Sequence, residues 1–177
     1  MDSQIKRYVL AGAAALLLLV AAVVVYRSMF GESNAERTAR KLPPAPRYFV
    51  DEATEQEVVV ATHLAAPITS SDGKTLVEAV FVSCDNGQTK KLAYTIKYTE
   101  TAKAILDEHR GQMAALSVED SDTVQAGMMY RAAGTKDWVN ANTPQGLRIS
   151  VLPRCPGTNQ LSTIVKPSEG SSALAIE

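Results

Sequence analysis

The chain has 177 residues, with 18 Lys/Arg, 19 Asp/Glu and two histidines, for a formal net charge of −1. The charge is uneven: residues 1–47 hold seven Lys/Arg against three Asp/Glu, whereas residues 48–177 hold eleven against sixteen. The acidic C-terminal part lacks the basic face a nucleic-acid partner requires, so no nucleic acid is expected.

Residues 1–7 form a short N-terminal tail that ends in Lys6 and Arg7. Tyr8 to Tyr26, YVLAGAAALLLLVAAVVVY, then carries no charge over 19 residues, and Arg27 follows it. At about 1.5 Å per residue a helix of this length covers roughly 28 Å, close to the hydrocarbon thickness of a bilayer. Residues 8–26 are therefore expected to form a single transmembrane helix and to bring membrane lipid in as the first partner. Tyr8 and Tyr26 stand where aromatic rings favour the interface. A cleaved signal peptide has a shorter apolar core and ends in a small-x-small site. This run ends in Val23-Val24-Val25-Tyr26-Arg27, and no cysteine follows it, so the segment reads as uncleaved. Lys6 and Arg7 sit at the membrane, whereas Arg37, Arg40 and Lys41 lie ten or more residues beyond it, interleaved with Glu32 and Glu36. The expected orientation is N-terminus in, with the C-terminal domain extracytoplasmic in an inner or plasma membrane.

Residues 27–47 read as a linker. Pro43-Pro44-Ala45-Pro46 is stiff and extended, a spacer by default and a PxxP-type ligand as the alternative. The soluble domain is expected over 48–166, with a mobile tail over 167–177. Tyr48–Val50 and Glu57–Leu64 read as strands. Thr75–Ser83 and Lys91–Thr99 read as a hairpin joined through Asp85-Asn86-Gly87, because Asn-Gly accepts the positive φ of tight turns. In the second strand Leu92, Tyr94, Ile96 and Tyr98 alternate with polar residues and are placed on one face.

A helix follows, opened by Thr99 or Thr101. Ala102, Ile105, Leu106, His109, Met113 and Leu116 form its apolar stripe. Gly111 weakens its middle. Glu119-Asp120-Ser121-Asp122 reads as an acidic loop. Val124–Ala132 and Leu147–Leu152 alternate and read as strands, and Leu161–Val165 as a last one. The fold class implied is α+β: a small, mostly antiparallel sheet with one main helix, or a barrel-like closure.

Cys84 and Cys155 are the two cysteines, both in turn-like settings. They form a candidate disulfide, which an oxidising compartment permits, or they are unrelated thiols. Without a CxxC motif, neither a zinc knuckle nor a thioredoxin-like site is supported. His63 and His109 suggest no third metal ligand. Glu119, Asp120 and Asp122 lack the glycine and terminal glutamate of an EF-hand loop. No nucleophile elbow, zincin, Walker or dinucleotide fingerprint occurs. No catalytic residue, cofactor or metal is assigned, and the chain is read as non-enzymatic.

Thr89–Met113, TKKLAYTIKYTETAKAILDEHRGQM, resembles the strand-then-helix opening of the periplasmic domain in the flagellar FliL family. The resemblance spans about 25 residues, includes no diagnostic motif and lacks that family's long Leu-rich continuation, so it implies no residue role. The expected function is protein–protein interaction by an extracytoplasmic domain in an envelope-located complex, with protein partners or a homo-oligomer. The alternative is a membrane-anchored ligand-binding or sensory domain.

Overall fold

The computed structural model describes residues 43–110, 113, 116–168 and 173–175. The expected membrane helix over 8–26, most of the linker and Gly111 lie outside the described residues. Among the described residues, no helix is long and apolar enough to cross a membrane.

Nine strands form one sheet: β1 (Pro46–Asp51), β2 (Glu57–Ala61), β3 (Ile68–Thr69), β4 (Thr75–Ser83), β5 (Lys91–Tyr98), β6 (Met128–Ala132), β7 (Val139–Asn140), β8 (Thr163–Val165) and β9 (Leu174–Ala175). The order is β7-β6-β5-β4-β1-β2-β9, with β3 and β8 also paired to β4. All pairings are antiparallel except β2 with β9, which run parallel. The described residues form an α+β architecture: a small antiparallel sheet with three short helices. β4 is rich in β-branched and aromatic residues, which suit a central pleated position. The expected hairpin is β4–β5, and Asn86 and Gly87 do hold positive φ, at 57° and 88°. Within the tail expected to be mobile, Leu174 and Ala175 pair with Val60 and Ala61 of β2.

The helical content departs from the sequence reading. The expected helix is α1 (Glu100–Glu108), with Thr99 as its N-cap, but it closes at His109, so Met113 and Leu116, expected on its apolar stripe, lie beyond its end. The supposed acidic loop and the start of the next strand are instead α2 (Val118–Gly127). Ser117 caps it, its Oγ accepting from the Asp120 backbone N–H at 3.1 Å, and Glu119 and Asp120 fill the first turn. Acidic groups there favour the helix because they face unpaired N–H groups and the positive end of the dipole. The strand then begins only at Met128. The supposed strand over 147–152 is largely α3 (Pro144–Ser150), capped by Thr143, whose Oγ1 accepts from Gly146 N–H at 3.1 Å. Thr-Pro at the helix start outweighs the period-2 pattern of Leu147, Ile149 and Val151. His63 lies beyond β2, in the bend that follows it rather than in a strand.

Register explains how the core divides. Phe49 pairs with Glu78, and Val50 with Val77, so Phe49 and Val50 face opposite sides of the sheet. On the Phe49 side, Phe49, Val60, Ala66, Ile68 and Leu76 form one cluster. Ala65, Ala102, Leu106 and Val124 continue it beneath α1 and α2, with Tyr98 packed against them. On the Val50 side, Val50, Val77, Ala79 and Phe81 pack with Tyr48, Leu92, Trp138 and Val165. Leu92 thus leaves the face of Tyr94, which stacks with Tyr130 at a 5.3 Å centroid distance. The cause is a register shift between Val80 and Phe81: Tyr94 opposes Val80, but Leu92 opposes Phe81. Such an inserted residue reverses the alternation beyond it.

Candidate functional site

Cys84 and Cys155 are joined, with Cα atoms 5.6 Å apart and a sequence separation of 71. Cys84 directly follows β4. The loop after it is shaped by Ser83, whose Oγ accepts from Asp85 N–H at 3.1 Å and Gly87 N–H at 2.8 Å and donates to Asp85 Oδ1 at 2.6 Å. Thr89 N–H also donates to Asp85 Oδ1, at 2.9 Å. Hydrogen bonds from Ser83 first, then Thr89, hold the Asp85 carboxyl down at about 2. Cys155 sits in a hairpin-like excursion between α3 and β8. There Arg154 bridges to Leu161, Cys155 N–H donates to Gln160 O at 2.8 Å, and Ser162 N–H donates to Pro153 O at 2.9 Å. β8 then pairs with Phe81–Ser83 of β4. The disulfide and β8 together tie the excursion to one end of the central hairpin.

Between the excursion and that end of the hairpin lies a cavity of about 410 Å³. This is within the usual size of a small-molecule site. Val82, Leu92, Pro153 and Pro156 supply apolar wall, and Lys91 and Arg154 are the charged residues of the lining. Arg154 is steadied by donating from Nη1 to Asn159 O at 3.1 Å.

The Val50 side of the sheet carries a second polar cluster. Glu52 Oε1 accepts from Lys97 Nζ at 2.9 Å and from Trp138 Nε1 at 2.8 Å. Lys97 Nζ lies 4.2 Å from a Trp138 ring centroid, and the Arg131 guanidinium carbon 5.1 Å. Arg131, 5% exposed, donates from Nε to Thr95 Oγ1 at 3.3 Å and from Nη1 to Glu52 O at 3.1 Å. Every member holds another, so the cluster reads as a structural cover. For Glu52, burial is the largest single influence and acts upward. Hydrogen bonds from Lys97 and Trp138, with the Lys97 and Arg131 charges, together outweigh it and lower the carboxyl below its ordinary 4.5.

Other perturbed groups do not converge with these. Burial pushes the Tyr98 phenol up to about 12 on the helical side. Asp72, held down at about 2 by hydrogen bonds from Lys74 and Ser70, lies just before β4, at the end opposite Asp85. His109 Nδ1 is 2.9 Å from Ile105 O, within its own helix turn. Glu119, Asp120 and Asp122 belong to the opening of α2, where Asp120 accepts from Ser117 Oγ at 2.7 Å. Among the described residues, no group of three or more His, Cys, Asp or Glu side chains could hold a metal ion.

Among the described residues, the exposed large apolar side chains are Met113, Val118 (81%) at the start of α2, and five late in the chain. Leu147 (58%), Val151 (66%), Leu161 (57%), Ile164 (53%) and Leu174 (56%) are all more than half exposed. Leu147 and Val151 are four residues apart, on one side of α3 and its C-terminal cap. Sequence reasoning placed Leu147 and Val151 in an alternating strand and so missed them as helix surface. The cavity was missed because its walls come from segments about sixty residues apart.

No family model, curated protein or solved structure matches the chain.

Proposed function

We propose that this chain is a non-enzymatic, single-pass membrane protein that serves as an interaction subunit of an envelope-located complex. Residues 8–26 anchor it in an inner or plasma membrane, and the domain that follows stands on the extracytoplasmic side. The observation that carries the reading is the set of five exposed apolar side chains between Leu147 and Leu174. Leu147 and Val151 share one side of α3, and a contiguous exposed apolar patch is a mark of contact with another protein. The Cys84–Cys155 bridge supports an oxidising compartment. The partner is a second protein of the complex or another copy of this chain.

The test places a photo-crosslinking amino acid at Leu147 or Leu161 in membranes of the native host. A discrete crosslinked species is expected, and Leu147→Glu with Val151→Glu should abolish it while the fold persists. A chain that stays uncrosslinked and purifies alone as a monomer sinks the proposal.

A second reading, a membrane-anchored ligand-binding or sensory domain, is favoured by the cavity beside the disulfide. A ligand-dependent rise in melting temperature is its expected signature.

A further inference from the structure

The cavity beside Cys84–Cys155 has features that narrow what it would accept. Its walls are mostly apolar: Val82, Leu92 and Ala93 from the hairpin, Pro153 and Pro156 from the excursion. Its charged lining residues are both basic, Lys91 and Arg154, although residues 48–177 carry sixteen acidic side chains against eleven basic ones. Two basic residues in the lining offset, at this place, an acidic domain's general repulsion of anions. The nearby carboxylate, Asp85, is not part of the lining, and its oxygens are occupied by Ser83 and Thr89. It therefore competes weakly for the two cations. Ser162, in the wall, is 2% exposed, and its hydroxyl has no hydrogen-bond partner among the described residues. Buried hydroxyls are ordinarily paired, and a head group seated against this wall supplies an acceptor.

Size sets the other limit. A volume of about 410 Å³ holds a body of roughly a dozen non-hydrogen atoms, taking the space of a liquid water molecule as the unit. This excludes a two-chain lipid and a folded peptide, and admits a short apolar body with one charged head.

We infer that the cavity is a binding site for a small amphiphilic monoanion, its apolar body between the Leu92 and Pro153 walls and its head toward Lys91 and Arg154. This rests on the ligand-binding reading and gives it a chemical class. The disulfide is part of the site, because Cys84 lines the cavity and its bridge to Cys155 holds the excursion in place.

The test uses the full chain in nanodiscs of uncharged lipid and a medium-chain carboxylic acid bearing a diazirine. After irradiation, adducts are mapped by peptide mass spectrometry. Labelling is expected to concentrate on peptides spanning 82–93 and 153–162. The methyl ester of the same probe should label about tenfold less, the loss expected for one charge-assisted hydrogen bond. Lys91→Gln with Arg154→Gln should bring the acid down to the level of the ester. Lys91→Gln alone, at an exposed position, should give a partial loss. Excess decanoate should suppress the labelling, whereas the same excess of inorganic phosphate should not, because it lacks the apolar body. Equal labelling by acid and ester, or competition by phosphate alone, overturns the amphiphilic monoanion and leaves a ligand site of another class. Adducts spread along the chain, with no concentration at these peptides, overturn the site and the ligand-binding reading together.

Discussion

The two sides of the sheet are covered in different ways. The Phe49 side is closed by α1 and α2 through small and aliphatic groups, with Ala102 and Val124 fully buried. On the Val50 side the described cover is made by long side chains laid over aromatic rings. Lys90 Nζ lies 4.2 Å from the Tyr48 ring centroid and 5.2 Å from that of Phe81, Lys97 and Arg131 flank Trp138, and Glu52 and Glu57 hold the lysines. Yet Val50 and Val77 are as fully buried as Phe49. Long basic side chains laid over aromatic rings can thus exclude water as a helix does, because their methylene stems are apolar and only their tips need solvent or a counter-charge. The helical cover depends on shape. The cationic cover depends on charge and therefore on salt and pH.

The largest expected effect lies on the helical side. Phe49→Ala removes a fully buried ring and should lower the unfolding free energy by about 3–5 kcal/mol in denaturant titration. Gly127→Ala tests the fit of α2 on α1. A Cβ there would stand 2.4 Å from Thr99 Oγ1 and 2.5 Å from Ala102 Cβ. Overpacking of this kind should cost about 1–3 kcal/mol, read as a fall in melting temperature. Lys97→Met keeps the stem over Trp138 and removes the charge. It should cost about 1 kcal/mol, the combined scale of one cation–π contact and one partly exposed ion pair, and the deficit should shrink as salt is added. A cost matching that of Phe49→Ala would erase the distinction between the two sides. The smallest effect is in pH dependence. The Glu52 carboxyl is lowered in the folded state, so its stabilisation is present above the ordinary 4.5 and is lost as pH falls through the lower folded value. The difference in unfolding free energy between the native chain and Glu52→Gln should therefore narrow on acidification below 4.5. A difference that does not change with pH would remove Glu52 from the cover.

The same contrast explains what was legible in the sequence. β4 and β5 declared themselves through β-branched alternation and the Asn-Gly turn, since a hairpin is local. Thr99 and the first half of the expected stripe were equally plain, because Ala102 and Leu106 are buried one turn apart, whereas Met113 and Leu116 lie past the end of α1. α2 hid because it buries only Val124 and Gly127, so no apolar stripe marks it. Its evidence lay in Ser117 and the two acidic residues after it. α3 hid for the same reason, burying only Gly146 over seven residues. The disulfide could be named from two cysteines, but the cavity beside it could not. Leu92 and Pro153 become neighbours only after β8 returns to β4 and the register shift in the hairpin turns Leu92 to the other side.

The parallel pairing of β9 with β2 has a practical consequence. β2 carries Val58-Val59-Val60 along the last long strand of the sheet, and Leu174 and Ala175 occupy its outer edge only beside Val60 and Ala61. An uncovered edge of this composition is a template for other chains. Deleting residues 167–177 should thus change how the protein behaves in concentrated solution more than how it folds. Light scattering on storage would rise for the truncated chain while its melting temperature moved little. The last residues act as a selvedge, a finished margin that keeps the weave from taking up further thread.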